Sequence, residues 1–465
     1  MLKPTRLALF ALLILLAAPA ATVHAAPKMP IGFFDDATFR WAAARANNLT
    51  QASKAGASVI HTTASWPQIA PRKPKSALNG NDPAYRLADL DELVFQSGLH
   101  NLRVMIDITG VPRWANGGKA ANVMPKKLSD LTQFSRMLAT RYDGRHGHGS
   151  VSLYSVWNEP NLQLFLTPQF VGKKIVGPAN YAKLYKSAYS GIKAGNKLAK
   201  VAIGETSARG RDKPLNGKSA TIAPGTFARL LSQVKGLKFD AWAHHPYPTE
   251  PNLPPTQKVR YPNVTFSTMP TFEANLKKFF HRTVPVWITE YGHETKPGEP
   301  RGVTPAKQAA YAKQALNMAK NDPDIQMFIW FVFHDSTGNP WQSGLFGTRN
   351  NAKPAYRTFS ATAKLIDGST TAVKAGSKPK VKVFVPLLGY YSSPGTPVDL
   401  TYTVKDGSKT VSVTNNQPTA TLAADFSVTF TANFKTVKGH TYTVTVSADD
   451  TNGHSDKALA AVKAV

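Results

Sequence analysis

The sequence predicts an α/β protein, a (β/α)₈ TIM barrel followed by a small all-β sandwich of the immunoglobulin-like kind. Apolar, strand-like runs alternate with helical patterns across residues 30–366, and from about residue 370 the pattern changes to a period of two. An open doubly wound sheet is the alternative for the first part. It is disfavoured because no G-x-G-x-x-G fingerprint follows the first predicted strand.

The eight predicted barrel strands read as nearly continuous apolar runs, as expected for strands buried on both faces. They are 30–36, 58–66, 101–110, 151–160, 200–206, 239–247, 285–292 and 325–335. The segments between them, such as "NYAKLYKSAYSGIKAG", repeat apolar residues at three- and four-residue spacing, which is typical of a helix with one buried face. Strand followed by helix is the repeating unit of the TIM barrel, so we assign residues 27–369 to that domain.

The C-terminal part has the character of a sandwich. Residues 370–379 look like a linker, and in 380–465 short runs such as "VDLTYTVKDG" alternate polar and apolar residues between Gly, Pro, Asn and Asp. This domain would bind carbohydrate or the cell wall, or serve only as a spacer. The sequence does not choose between these roles.

The first 26 residues predict a secretory signal peptide. Lys3 and Arg6 precede the apolar run "LALFALLILLAA", and small residues around "VHAA" indicate cleavage after Ala25 or Ala26. The run is shorter than the roughly 20 residues that a membrane span requires. We therefore expect an exported protein, secreted and possibly associated with the cell wall. The chain has no Cys, which excludes disulfides and thiolate metal sites.

The formal net charge of +28 predicts attraction to polyanions. Lys and Arg are scattered, with no basic stripe or nucleic-acid motif, so nucleic acid is not an expected partner. Several predicted loops at the barrel mouth carry basic residues, which are Arg72, Lys73, Lys75, Lys126, Lys127, Lys173, Lys174, Arg209, Arg211 and Lys213. They suggest an anionic polysaccharide substrate, and the alternative is a general basic bias with solvated side chains. We expect a monomer, although the sequence does not determine the oligomeric state.

Two glutamates end predicted strands of the same barrel. "VWNEPN" at 156–161 places Glu159 at the end of the fourth strand, and "WITEYG" at 287–292 places Glu290 at the end of the seventh. The active site of a TIM barrel lies where its strands end. Glycoside hydrolysis requires one carboxylic acid to protonate the leaving oxygen and a second carboxylate to attack the sugar or activate water. Alone, N-E-P would be a turn and Glu290 a solvated or helix-capping residue, but together they predict a catalytic pair.

These motifs resemble the signatures of a large clan of retaining (β/α)₈ glycoside hydrolases. The matching residues are Trp157-Asn158-Glu159-Pro160 and Thr289-Glu290, and the clan includes the family 5 cellulases and the family 39 enzymes. "VPRWA" at 111–115 is similar to the Pro-x-Trp-Ala turn of family 39, which favours the family 39 side of the clan. The resemblance covers about residues 30–366. One departure is that His61, and no Arg, stands near the end of the second strand, where family 5 enzymes carry an arginine.

The resemblance implies a role for each matching residue. Glu159 would be the general acid/base, and Glu290 would be the nucleophile. Asn158 would hydrogen-bond the sugar 2-hydroxyl. His245 and Tyr247 match the H-x-Y pattern of the clan, in which the tyrosine bonds the nucleophile and helps to hold it ionised.

Aromatic residues complete the predicted sugar site. Trp330, in the eighth strand, matches the tryptophan platform of the clan, and Trp66 and Trp114 would stack on sugar faces from loops after the second and third strands. Trp66, Trp114 and Trp341 have an alternative reading as residues that pack the loops. Glu205, which ends the fifth strand, would reach the substrate or form an ion pair.

No metal or cofactor is expected. His244 and His245 are adjacent, so on a strand their side chains point to opposite faces, and no third ligand has a recognisable spacing. The predicted function is therefore a secreted retaining β-glycoside hydrolase acting on a polysaccharide. A non-catalytic glycan- or cell-wall-binding protein on the same scaffold is the alternative. The carboxylate pair disfavours it, because binding alone does not require that geometry.

Overall fold

The computed structural model of the chain describes residues 29–465, except 216–219, 339, 360–369, 386–387, 389–391, 393–394, 424–426, 451–452 and 454. The predicted signal peptide lies outside the described residues, and so does most of the last predicted helix of the barrel, of which 354–359 are helical. Among the described residues, no helix is both long and apolar enough to cross a bilayer.

Eight parallel strands close into a barrel, which confirms the predicted fold. They are β1 (Ile31–Phe34), β2 (Val59–Ser65), β3 (Arg103–Thr109), β4 (Leu153–Val156), β5 (Lys200–Ser207), β6 (Ala241–His245), β7 (Val286–Ile288) and β8 (Ile325–Phe331). Each strand pairs with its sequence neighbour, and β1 closes the barrel by pairing with β8. The strand ends therefore meet at one mouth, as the sequence predicts.

Helices alternate with the strands. They are α1 (Arg45–Lys54), α2 (Trp66–Ile69), α3 (Ala88–Leu99), α4 (Arg113–Asn116), α5 (Leu128–Arg141), α6 (Gly177–Gly195), α7 (Pro224–Ser232), α8 (Met269–Phe280) and α9 (Pro305–Asn321). The buried residues of α6 recur at helical spacing and include Tyr181, Leu184, Tyr185 and Ala188. These buried faces belong to the hydrophobic core that the helices share with the outer face of the barrel strands.

The barrel interior is apolar below and polar towards the mouth. Its apolar layer includes Val59, Met105, Leu153, Ala243, Trp287 and Ile329. Side chains alternate between the two faces of a strand, so the next inward-facing residue towards the mouth lies two positions later in each strand. Those positions hold His61, Asp107, Ser155, His245, Thr289 and Phe331. A polar layer therefore lies directly beneath the mouth.

The C-terminal strands form two sheets around their own hydrophobic core. The strands are β9 (Thr370–Val373), β10 (Lys380–Phe384), β11 (Pro397–Asp406), β12 (Lys409–Thr421), β13 (Ser427–Thr431), β14 (Thr441–Asp450) and β15 (Ser455–Ala464). One sheet has the order β9-β15-β14-β11-β12 and the other pairs β10 with β13. Buried residues of both sheets, such as Val383 and Val446, share one cluster, as in a β-sandwich.

The predicted linker at 370–379 is wrong for its first four residues. Thr370–Val373 forms β9, which pairs in parallel with Ala461–Ala464 of β15. The physical reason is the β-branched sequence Thr-Thr-Ala-Val, which favours a strand when a partner edge is available.

Candidate active site

The loop after β4 holds Glu159 in an unusual backbone conformation. Trp157 and Glu159 have φ values of 75° and 40°, in the left-handed region that residues other than glycine rarely adopt. The loop is anchored where the indole of Trp157 donates to the Phe165 carbonyl at 2.8 Å. The buried Asn161 side chain donates to the Ile222 carbonyl and accepts from the Ser207 amide. Such anchoring sustains local strain, and here it keeps the Glu159 segment at the mouth.

Glu159 and Glu290 meet at one imidazole. The Nδ1 atom of His245 lies 3.1 Å from Glu159 Oε1 and 3.7 Å from Glu290 Oε2. The two distances sum to 6.8 Å, so these carboxylate oxygens are at most 6.8 Å apart, and closer if the angle at the nitrogen is bent. The glutamates of β4 and β7, 131 positions apart in sequence, thus form one carboxylate pair.

Tyr247 contacts the second carboxylate of this pair. Its hydroxyl donates to Glu290 Oε2 at 3.2 Å, and its ring stacks on Tyr291 with centroids 5.9 Å apart. Burial raises the pKa of Glu290 to about 7 and outweighs the lowering effects of the His245 charge and the Tyr247 hydrogen bond, while Glu159 and Glu205 raise it further. Tyr247 therefore favours the ionised form of Glu290, as the resemblance implies, but burial has the larger effect on the pKa of Glu290.

Glu205 lies beneath His245 and forms an ion pair, one of the two roles that the sequence left open. Its Oε2 accepts hydrogen bonds from His245 Nε2 at 2.8 Å and from the Thr289 hydroxyl at 2.6 Å. Burial alone would raise the pKa of Glu205, but the hydrogen bond and charge of His245 lower it overall. Burial alone would lower the pKa of His245, but Glu290, Glu159 and Glu205 raise it well above the usual value.

The other polar side chains of this layer are held neutral. Burial lowers the pKa of His61 to about 4, and His61 Nδ1 lies 3.2 Å from the Thr289 carbonyl. Burial, followed by the charge of Glu205, raises the pKa of Asp107 well above its usual range, and Asp107 accepts a hydrogen bond from Ser155 at 3.3 Å. His244 points to the opposite face from His245, as predicted, and bonds Thr206 and the Val264 carbonyl.

A cavity of about 340 Å³ opens beside Glu159. Its lining includes Arg209 from the loop after β5, Tyr247 from the loop after β6, and Trp341 from the loop after β8. Arg301 and Glu250 also line it and form an ion pair at 3.3 Å. Asn158 is half-buried, and its amide has no hydrogen-bond partner within the described part of the chain.

Trp330 is not the sugar platform that the resemblance implies. Its side chain is fully buried in the core outside the barrel, where its indole donates to the Ser343 carbonyl and its ring contacts Phe359. The reason is the alternation along β8, because Ile329 faces inward and Trp330 must face outward. Phe331 takes the inward position, half-buried, with its ring centroid 5.9 Å from that of Trp341.

Trp66 and Trp114 pack against neighbouring aromatic residues. Trp66 is buried against Phe134, with ring centroids 5.6 Å apart, and Trp114 packs edge-on against Trp66. The Trp114 indole donates to the Ala70 carbonyl. Neither residue lines the cavity, whereas Trp341 does. Both tryptophans thus take the packing role that the sequence left open, and Trp341 is the tryptophan beside Glu159 and Tyr247.

Comparison with solved structures identifies the same fold in glycosidases. A family 39 glycoside hydrolase from the gut symbiont Bacteroides cellulosilyticus WH2 has a TM-score of 0.52 at 17% identity, over 87% of this chain and 81% of that one. A glucosidase from Croceicoccus marinus has a TM-score of 0.52 at 12% identity, over 84% and 90% of the two chains. A family 39 β-xylosidase from Caulobacter crescentus has a TM-score of 0.50 at 14% identity, over 81% and 82%.

A search of proteins with curated functions finds no match. The sequence model of the family described as cellulase (glycosyl hydrolase family 5) matches residues 25–336, which is most of the barrel and more than half of the chain. The resemblance to the clan is thereby confirmed, even though His61 stands where an arginine is expected. The chain belongs to the cellulase family, glycosyl hydrolase family 5, and is a retaining glycosidase that hydrolyses O-glycosyl bonds.

Proposed function

We propose that the enzyme acts by double displacement, with Glu290 as the nucleophile and Glu159 as the general acid/base. The observation that carries the proposal is the contact of His245 Nδ1 with both carboxylates at 3.1 and 3.7 Å. Carboxyl groups are about 5–5.5 Å apart in retaining enzymes and roughly 6.5–9.5 Å apart in inverting ones, which need room for a water molecule. The two contacts limit the distance between these carboxylate oxygens to at most 6.8 Å, below nearly all of the inverting range, which supports the retaining spacing.

In the first half-reaction, an ionised oxygen of Glu290 attacks the anomeric carbon while Glu159 protonates the leaving oxygen. The glycosidic bond breaks and a glycosyl ester of Glu290 forms. In the second half-reaction, Glu159 takes a proton from water, the resulting hydroxyl attacks the anomeric carbon, and the ester bond breaks. Two inversions give net retention, and both glutamates return to their starting states.

Tyr247 and Asn158 have supporting roles in this proposal. The Tyr247 hydroxyl stabilises the charge of Glu290 before attack, because it donates to the carboxylate at 3.2 Å. Asn158 precedes the acid/base, and its amide has no partner among the described residues, so it is available to a sugar hydroxyl. A hydrogen bond to the 2-hydroxyl strengthens in the transition state.

The test is azide rescue of the two alanine variants on an activated aryl glycoside. In Glu290→Ala, azide should take the place of the nucleophile and give a glycosyl azide of inverted configuration. In Glu159→Ala, azide should attack the glycosyl ester and give a glycosyl azide of retained configuration. NMR of the products distinguishes the two, and the surface variant Glu92→Gln is the control. The same configuration from both variants would contradict the assigned roles.

We also propose a polysaccharide substrate with acidic sugars. Among the ten basic loop residues considered above, Arg209 lines the cavity beside Glu159, and it has no ion pair within the described part of the chain. An unpaired guanidinium next to the acid/base can bind the carboxylate of a uronic acid with two hydrogen bonds. Arg301, by contrast, is already paired with Glu250.

Substrate charge is tested by comparing a polyuronate with a neutral glucan of similar length. Arg209→Gln should reduce kcat/KM for the polyuronate by about tenfold and leave the neutral polymer unchanged, whereas Arg211→Gln in the same loop should affect neither. Raising the salt concentration should weaken the native preference. Activity confined to the neutral polymer and insensitive to salt would exclude the acidic substrate.

Export is proposed from residues 1–26 alone. When the full chain is expressed with its own leader, the mature protein should begin at Ala26 or Pro27. The intact mass of the protein recovered outside the cytoplasm measures this directly. Retention of Met1 in the recovered protein would contradict the proposal.

A further inference from the structure

Glu205 is a buried carboxylate with no role in the double displacement described above. It is 1% exposed, at the mouth end of β5. The pairing of β5 with β6 shifts between Ile203 and Thr206, where β5 has one extra residue. Gly204 and Glu205 have positive φ values of 109° and 45°, as in a β-bulge. The bulge breaks the alternation of the strand and brings the Glu205 carboxylate under His245.

The contacts of His245 define its protonation. Nε2 lies 2.8 Å from Glu205 Oε2, while Nδ1 on the opposite side of the ring lies 3.1 Å from Glu159 Oε1 and 3.7 Å from Glu290 Oε2. Carboxylates are acceptors, and only the imidazolium form has an N–H on both nitrogens. With Glu205 fixed as an acceptor at Nε2, the ring presents a donating N–H and a positive charge to the catalytic pair.

The remaining titratable groups around the imidazole do not alter this balance. Burial lowers the pKa of His61 and His244, which disfavours their charged forms, and burial raises the pKa of Asp107, which favours its protonated form. Burial keeps the Tyr247 hydroxyl protonated, and this hydroxyl donates a hydrogen bond to Glu290. The charged groups that face His245 are therefore the three glutamates, and Glu205 is the one that does not change during the reaction.

We propose that Glu205 is a positioning residue that holds His245 as an imidazolium, so that its Nδ1–H stabilises whichever of Glu290 and Glu159 is negatively charged. The inference rests on the roles proposed for those two glutamates. It assigns to the bulge in β5 a function in catalysis rather than in packing.

The proposal matches the charge of each intermediate. Before attack Glu290 is the anion and Glu159 holds the proton. When the glycosyl ester forms, the charge of Glu290 is lost and Glu159, having given its proton to the leaving oxygen, becomes the anion. The catalytic pair thus carries a single negative charge throughout. One fixed cation between the two carboxylates serves both half-reactions, and His245 gives up no proton.

The test is Glu205→Gln, which keeps the shape of the side chain and removes the charge. Without its counter-ion His245 loses its proton more readily, so the cation that favours ionised Glu290 is lost. The acid limb of the kcat/KM profile should therefore move to higher pH by about one unit, and kcat/KM at pH 6 should fall by up to about tenfold. Thr289→Val removes a hydroxyl that donates to the same oxygen but keeps the charge of Glu205, so the acid limb should shift much less than in Glu205→Gln. Glu205→Asp also keeps the charge and should retain most of the native acid limb.

A double-mutant cycle shows whether Glu205 acts through the imidazole. In a His245→Gln background the further change Glu205→Gln should alter kcat/KM by less than about threefold. An unchanged acid limb in Glu205→Gln, or an equally large loss in both backgrounds, would overturn the proposal. Melting temperatures of all variants separate misfolding from a catalytic effect. Azide rescue of Glu290→Ala is measured in parallel, because an inverted product there upholds the double displacement whatever Glu205 does.

Discussion

The acid limb of the pH–rate profile should reflect the burial of Glu290. Burial, opposed by His245 and Tyr247, raises its pKa from 4.5 to about 7. The difference corresponds to about 3.4 kcal/mol, since one pKa unit is about 1.36 kcal/mol. Because the nucleophile reacts only when ionised, kcat/KM of the native enzyme should fall about tenfold per pH unit below pH 7. The apparent pKa belongs to the whole carboxylate–imidazole cluster.

Tyr247→Phe is the perturbation that tests this directly. It deletes the hydroxyl that donates to Glu290 Oε2 at 3.2 Å and leaves the ring in place. A hydrogen bond to a charged group contributes about 1.5–3 kcal/mol, and at this length we use the lower end, which is about one pKa unit. Since the bond lowers the pKa of Glu290, its loss raises it. At pH 6 kcat/KM should fall about tenfold, with a much smaller change above pH 8.

The assay is the initial rate on one glycoside from pH 4.5 to 9 at constant ionic strength. Tyr291→Phe is the matched control, because its ring stacks on Tyr247 with centroids 5.9 Å apart and its hydroxyl has no hydrogen-bond partner among the described residues. Its acid limb should coincide with that of the native enzyme. A native limb near pH 4.5 would refute the dominance of burial. A loss in Tyr247→Phe that is equal at every pH would refute the role of the hydrogen bond.

Three further predictions concern the aromatic residues and stability. Trp341→Ala should raise KM about tenfold, because an aromatic face is lost from the cavity. Trp114→Ala should lower the melting temperature and leave KM unchanged. The opposite result would indicate that Trp114 binds the sugar. Trp330→Ala should destabilise the fold by about 3–5 kcal/mol in denaturant titrations, and a cost below 1 kcal/mol would contradict its burial. Burial and the neighbouring Asp322 raise the pKa of Glu273 to about 9, so the free energy of unfolding should fall as pH rises from 4.5 towards 9. The variant Glu273→Gln should be more stable than the native protein by about 3 kcal/mol at pH 7 and equally stable at pH 4. An equal gain in stability at both pH values would exclude this cause.

The barrel and the proximity of Glu159 and Glu290 could be predicted because each depends on local pattern. Strands buried on both faces are mostly apolar along their length, so β3, β4 and β8 are visible in the sequence as largely apolar runs. Parallel strands in a barrel end at one mouth, so two strand-end glutamates had to be neighbours wherever the helices packed. The resemblance predicted His245 and Tyr247 for the same site, and in the structure they lie at and just after the end of β6, the strand adjacent to β7.

The tertiary structure decided which side chains line the cavity and which charged side chains form ion pairs. Trp330 and Phe331 are adjacent aromatics, and only the register of β8 in the closed barrel sends Phe331 inward and Trp330 into the core. The bulge at Gly204 depends on how β5 pairs with β6, and the sequence of β5 alone does not determine that pairing. The ion pair of Glu205 with His245 follows from that bulge. Sequence alone determined the chemistry available at the strand ends, whereas register and burial, which arise only when strands from distant segments pair, determined how that chemistry is arranged.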